Sequence, residues 1–91
     1  MDMTMISQEK LVTLNRMRNG TDYKLRGDKA VGVEVRHDNV RRKRTEVTCR
    51  SLAPLMREGL IDFVVIVSDM TRYYEVRLTE EGEKIIRSKP R

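Results

Sequence analysis

Four consecutive basic residues, Arg41, Arg42, Lys43 and Arg44, are followed by Arg50 and Arg57, whose spacing sets both on one side of a helix. Guanidinium groups pair in a fork with phosphate or with the edge of guanine, so clustered arginine points toward an acidic polymer. The whole chain leans the same way, with 19 Lys and Arg against 14 Asp and Glu, a net charge of +5 and an isoelectric point near 9.7. That balance favours nucleic acid first, and anionic protein surfaces or membranes second. The plain alternative is a solvated basic loop.

Other chemistries have little material. His37 and Cys49 are the single representatives of their types, too few for a zinc site. Carboxylates are scattered, no glycine-rich phosphate loop exists, and no Ser or Cys nucleophile has a base beside it. The expectation is a protein that is not an enzyme and uses no cofactor. One cysteine excludes an internal disulfide and suits a reducing cytoplasm. The opening MDMTMISQEK reads as neither a secretory signal nor a membrane span.

The elements that must position these residues follow from periodicity. A chain of 91 residues reads as one domain, 1–91, with 1–6 and 89–91 frayed, burying about 60–65% of its unfolded surface around a lean core. Ser7–Arg18 is an amphipathic helix: Ser7 caps it, Ile6 and Leu11 form a staple, Leu11, Leu14 and Met17 face inward, and Asn19-Gly20 stops it. The period then becomes alternating, giving a hairpin of Asp22–Arg26 with Lys29–Arg36 about a tight Gly27-Asp28 turn. Tyr23 and Leu25 share a face with Val31, Val33 and Val35. A basic loop follows.

A second helix is expected from Glu46 to Glu58, closed by Gly59, with Cys49, Leu52, Leu55 and Met56 inward and Arg50, Pro54 and Arg57 outward. Pro54 would cost about 3 kcal/mol inside it. Either the helix bends at Arg50, or it begins late with Ser51 as cap and Pro54 in the first turn; Thr45 and Thr48 extend the inward face and favour the bent helix. Two strands follow, Ile61–Val67 and Arg72–Leu78, with Tyr73 and Tyr74 packing rather than stacking on bases. Thr79 caps a last helix, with Glu80 and Glu81 at its start and Arg87 and Lys89 at its end. The expected fold class is α+β, in the order α-β-β-α-β-β-α.

A helix carrying Leu52 and Leu55, then Glu58-Gly59-Leu60-Ile61, a hairpin with Tyr74, and Leu78-Thr79-Glu80-Glu81-Gly82 resembles the second half of a winged helix-turn-helix domain, over residues 45 to 88. The layout is also distantly similar to the YjhX-like small bacterial proteins. The chain departs from the winged-helix pattern in having a hairpin where the short helix before the recognition helix belongs. The resemblance implies a bacterial or phage-type DNA-binding transcription regulator. Its reading face would be Thr45, Arg50, Pro54 and Arg57, with Arg41, Arg42, Lys43 and Arg44 on phosphates and Thr71 and Arg72 as wing contacts.

Glu46 and Glu58 near that face would repel phosphate. The implied partner is double-stranded DNA, bound by a homodimer joined through Leu11, Leu14, Ile85 or Ile86. The alternative is a winged-helix scaffold that binds and modulates another protein, such as a phage-encoded inhibitor or anti-repressor.

Overall fold

The structure is a computed structural model and describes residues 7–88; the frayed ends expected at 1–6 and 89–91, with Ile6 and Lys89, lie outside the described residues. Three helices and five strands follow in the order α1 (Gln8–Arg18), β1 (Asp22–Arg26), β2 (Gly32–Asp38), β3 (Lys43–Thr48), α2 (Leu52–Arg57), β4 (Ile61–Phe63), β5 (Tyr73–Leu78) and α3 (Glu80–Ser88). The α+β class holds. The seven-element order is corrected to eight, because a strand stands where the basic loop and the first turns of the second helix were expected.

The strands form one antiparallel sheet in the order β3-β2-β1-β5-β4. All three helices pack on one face. Leu14 of α1, Leu52 and Leu55 of α2 and Ile86 of α3 meet Tyr23, Leu25, Ile61 and Val76 from the sheet in a single buried cluster. Each such side chain contributes about 1.5–3 kcal/mol by leaving water. Leu14 and Ile86 are thereby consumed by the core, which withdraws them as a dimer seam.

The first and last helices form where their end signals place them. The Ser7 hydroxyl accepts the Lys10 N–H at 3.3 Å, and Gly20 takes φ +107° behind Asn19. At α3, the Thr79 hydroxyl accepts the Gly82 N–H at 3.2 Å and donates to the Gly59 carbonyl at 2.6 Å, tying the helix start to the end of α2.

Helix α2 begins late. Its first intrahelical bond runs from Leu55 N–H to the Ser51 carbonyl at 3.0 Å, so Pro54 occupies the first turn, where no donor is needed. The expected bent helix from Glu46 is therefore corrected: the chain avoids the interior-proline penalty by staying extended through Thr48. Pro54 is half-buried rather than exposed, and Cys49 follows the end of β3, its N–H donating to the Gly32 carbonyl at 2.8 Å.

Register corrects the hairpin too. Four residues, Gly27–Ala30, connect β1 to the Val31 carbonyl that accepts the Arg26 N–H, and Lys29 takes φ 66°. A loop of even length pairs odd-numbered with even-numbered residues, so Tyr23 faces Glu34 and Leu25 faces Gly32. Val33 and Val35 consequently lie on the face away from the helices. The strand expected over Ile61–Val67 ends at Phe63; the Val64 N–H makes a last bond to the Glu75 carbonyl at 3.0 Å, and the chain then leaves the sheet.

Candidate nucleic-acid interface

The basic run folds as a β-ribbon. β2 and β3 pair from Val33 with Thr48 to Asp38 with Lys43, and residues 36–48 are exposed throughout. The ribbon thus extends past the core on its own ladder. Arg41 and Arg42 sit in the connecting turn, Lys43, Arg44 and Thr45 on β3. β3 is also an edge strand, and its six residues are exposed on both faces.

Local chemistry fixes the tip. One carboxylate oxygen of Asp38 accepts the N–H groups of Val40 and Arg41 at 3.0 and 3.1 Å, while Arg42 takes the left-handed φ of 56°. An Asx turn of this kind spends the acid on the backbone. Between Arg36 and Thr45 there are five Lys and Arg and this one carboxylate. Arg36 pairs with Glu34 at 3.0 Å and Arg44 with Glu46 at 3.6 Å. Among the described residues Arg41, Arg42 and Lys43 have no carboxylate partner, so their charge faces solvent.

The remaining candidates are dispersed. Arg50 lies in the turn before α2, and Arg57 ends that helix, where its charge suits the carbonyl terminus. Glu58 is held by Lys10 at 2.6 Å, which neutralises the acid expected to oppose phosphate near Arg57. Thr71 and Arg72 build their own turn: the Thr71 hydroxyl and N–H donate to Asp69 at 2.7 and 2.9 Å, and Arg72 reaches Asp69 at 3.5 Å. Those bonds hold the Asp69 carboxyl below its usual range. The Gly27 N–H donates to the Arg72 carbonyl, which places Thr71 and Arg72 at the β1–β2 turn end of the sheet. The ribbon tip is at the other end, roughly 20 Å along β2. One face uniting Arg41–Thr45 with Thr71 and Arg72 is therefore not formed.

Two features escaped the sequence reading. Arg36 and His37 belong to the same ribbon as the basic run through their pairing with Thr45 and Arg44, a fact that no apolar alternation in Lys43–Thr48 signals. The second is an apolar patch at the opposite edge: Val64, Val65, Ile66, Met70 and Tyr73 are all exposed, Ile66 at 92%. Its signal was the unbroken β-branched run Val64-Val65-Ile66-Val67, read as part of the strand Ile61–Val67.

A polar network borders the core at Tyr23. Tyr23 Oη donates to Glu34 at 3.1 Å, and Arg16 reaches the same oxygen at 3.3 Å. Burial works against the Glu34 charge, yet the Arg36 and Tyr23 hydrogen bonds outweigh it and its pKa falls. Burial, followed by the Glu34 charge, pushes the Tyr23 hydroxyl well above its ordinary value. Among the described residues no three His, Cys, Asp or Glu side chains converge as metal ligands, and no helix is long and apolar enough to cross a membrane.

Comparisons with protein-family models, with curated proteins and with solved structures returned no match.

Proposed function

We propose that this chain is a small DNA-binding protein that grips the duplex with the β2–β3 ribbon. The single observation that carries the reading is the ribbon itself: a two-stranded arm clear of the core, tipped by Arg41, Arg42 and Lys43 with no acidic partner. An antiparallel pair with strands about 4.8 Å apart fits a major groove about 12 Å wide, and its guanidinium groups reach phosphates on both walls. In this reading Arg41, Arg42, Lys43 and Arg44 supply phosphate contacts, and Thr45 and His37 lie along the strands behind them.

The winged-helix likeness supplies less. Helix α2 has six residues, Pro54 is half-buried in its first turn, and a strand precedes it in place of a helix. A recognition helix needs a longer exposed face than that. The ribbon thus takes the role that the likeness gives to α2, and a part in transcription regulation follows from DNA binding only as an extension of it.

The experiment is a titration of random-sequence duplex DNA at several salt concentrations, followed for the parent and for Arg41→Ala with Arg42→Ala. Counterion release makes the logarithm of affinity fall with the logarithm of salt, by close to one unit of slope per phosphate neutralised. Loss of two contacts should flatten the slope by about two units.

A further inference from the structure

We propose that the ribbon turns toward DNA the face it shares with the helices, with Lys43 and Thr45 reading base edges; the assignment rests on the DNA reading above. Cross-strand pairs share a face, so the register divides the ribbon into two rows. Glu34, Arg36 and Asp38 of β2 stand with Val47, Thr45 and Lys43 of β3 on the inner row, where Tyr23 and Arg16 reach Glu34. His37 stands with Arg44, and Val35 with Glu46, on the outer row.

Carboxylates decide between the rows. On the outer row they are open to solvent: Glu46 beside Arg44 is 49% exposed, and Asp22, 3.8 Å from His37, is 54% exposed. Glu75 and Lys24 line the hollow between Asp22, His37 and Arg44, so three carboxylates face Lys24 and Arg44 there. A phosphate brought to this row meets those like charges. On the inner row both acids are engaged. Glu34 is 12% exposed and is shared by Arg16, Arg36 and Tyr23 Oη at 3.3, 3.0 and 3.1 Å. Asp38 accepts the Val40 and Arg41 N–H groups of the tip. Glu34 also draws Arg16 of α1 and Arg36 of β2 to one point, which carries the basic surface from the ribbon onto the helix.

The inner row also has the chemistry of base readout. Lys43 and Thr45 are both exposed, two residues apart on one strand. That period is about 6.7 Å, close to two base steps of about 3.4 Å each. The Lys43 ammonium donates to the O6 and N7 acceptors of guanine, and Thr45 offers a hydroxyl to a base edge and a methyl to thymine. Arg36 stands directly opposite Thr45 and reaches the neighbouring phosphate or base from the second strand. With the inner row on the groove floor, Arg16 of α1 faces the phosphate wall. His37 is left on the solvent side.

The test compares matched variants on opposite rows and adjacent rungs of the ladder, Thr45→Glu and His37→Glu, each adding one carboxylate. Affinity for random duplex is measured beside the parent near physiological salt, where exposed charges are screened beyond about 8 Å. Thr45→Glu should lower affinity at least about tenfold, and His37→Glu less than about threefold. Both sites are exposed, so the thermal midpoint should stay at the parent's value. A second readout selects preferred sequences from a randomised duplex pool, using Thr45→Ala and His37→Ala, which keep the fold should a glutamate disturb it. Thr45→Ala should relax the preference at one base pair by about five- to 150-fold, and His37→Ala at none. Equal losses in the two glutamate variants overturn the face assignment and leave DNA binding standing. So does a preference lost with His37→Ala and kept with Thr45→Ala, or a parent that selects no sequence. A parent that binds no duplex overturns the DNA reading, and the face assignment falls with it.

Discussion

The side chain of Leu52 rests directly on the backbone of Gly32: a Cβ built at Gly32 falls 2.5 Å from Leu52 Cδ1 and 2.8 Å from its Cβ. This contact brings α2 down onto β2 at the base of the ribbon, with Leu52 fully buried. Gly32→Ala should therefore cost about 1–3 kcal/mol, because a methyl group there displaces the helix. Urea denaturation measures it, and an unchanged midpoint would show that the helix slides freely.

Pro54→Ala tests where α2 starts. A proline in the interior would be relieved by alanine and the protein would gain stability. Pro54 is in the first turn, lacks no hydrogen bond there, and limits the freedom of the unfolded chain. The substitution should be neutral or cost up to about 1 kcal/mol. A gain of more than about 1 kcal/mol would restore the longer, bent helix.

Much of the frame was legible in the sequence because its signals are local. Ser7 and Thr79 cap helices, Gly20 and Gly59 take positive φ after helix ends, and Tyr23 and Leu25 alternate into the core. Strand β3 was hidden for a physical reason. All six of its residues are exposed, so no apolar alternation marks it, and Thr45 and Thr48 also fit a helical face. Their β-branched side chains favoured the strand once Pro54 barred the helix from extending through Arg50. Val64–Val67 misled in the opposite sense, carrying the composition of a buried strand while lying outside the sheet. Of the candidate site, Arg41–Arg44 could be found from charge alone. Their arrangement on a ribbon could not, since it depends on pairing with β2.

The Tyr23–Glu34 pair predicts how stability follows pH. Glu34 has a depressed pKa in the fold, so its contribution is present above its ordinary value near 4.5 and is lost as pH falls through the lower folded value. Tyr23 has a raised pKa, so its contribution is present below its ordinary value near 10 and is lost as pH rises beyond it. Urea midpoints should be level between about pH 5 and 9 and fall on both sides. Tyr23→Phe should flatten the alkaline limb and cost about 0.5–1.5 kcal/mol at neutral pH. An alkaline limb unchanged by Tyr23→Phe would assign it to another group.

Cys49 should react slowly with a thiol reagent in the native state. Its side chain is half-buried against the core, 4.0 Å from the Thr13 hydroxyl. Labelling in urea should be fast by comparison. Equal rates in the two states would place Cys49 on the surface.

The claim that the ribbon binds DNA is tested most directly by the salt dependence of binding to random duplex, compared between the parent and a variant with Arg41, Arg42 and Arg44 all replaced by Ala. These side chains are exposed and lie outside the core, so circular dichroism and the urea midpoint should match the parent. The parent should bind with a steep negative slope, and the variant should lose affinity for every sequence, with a slope about three units flatter. A variant that binds as the parent does, with the same slope, would contradict the account and return the ribbon to a solvated surface.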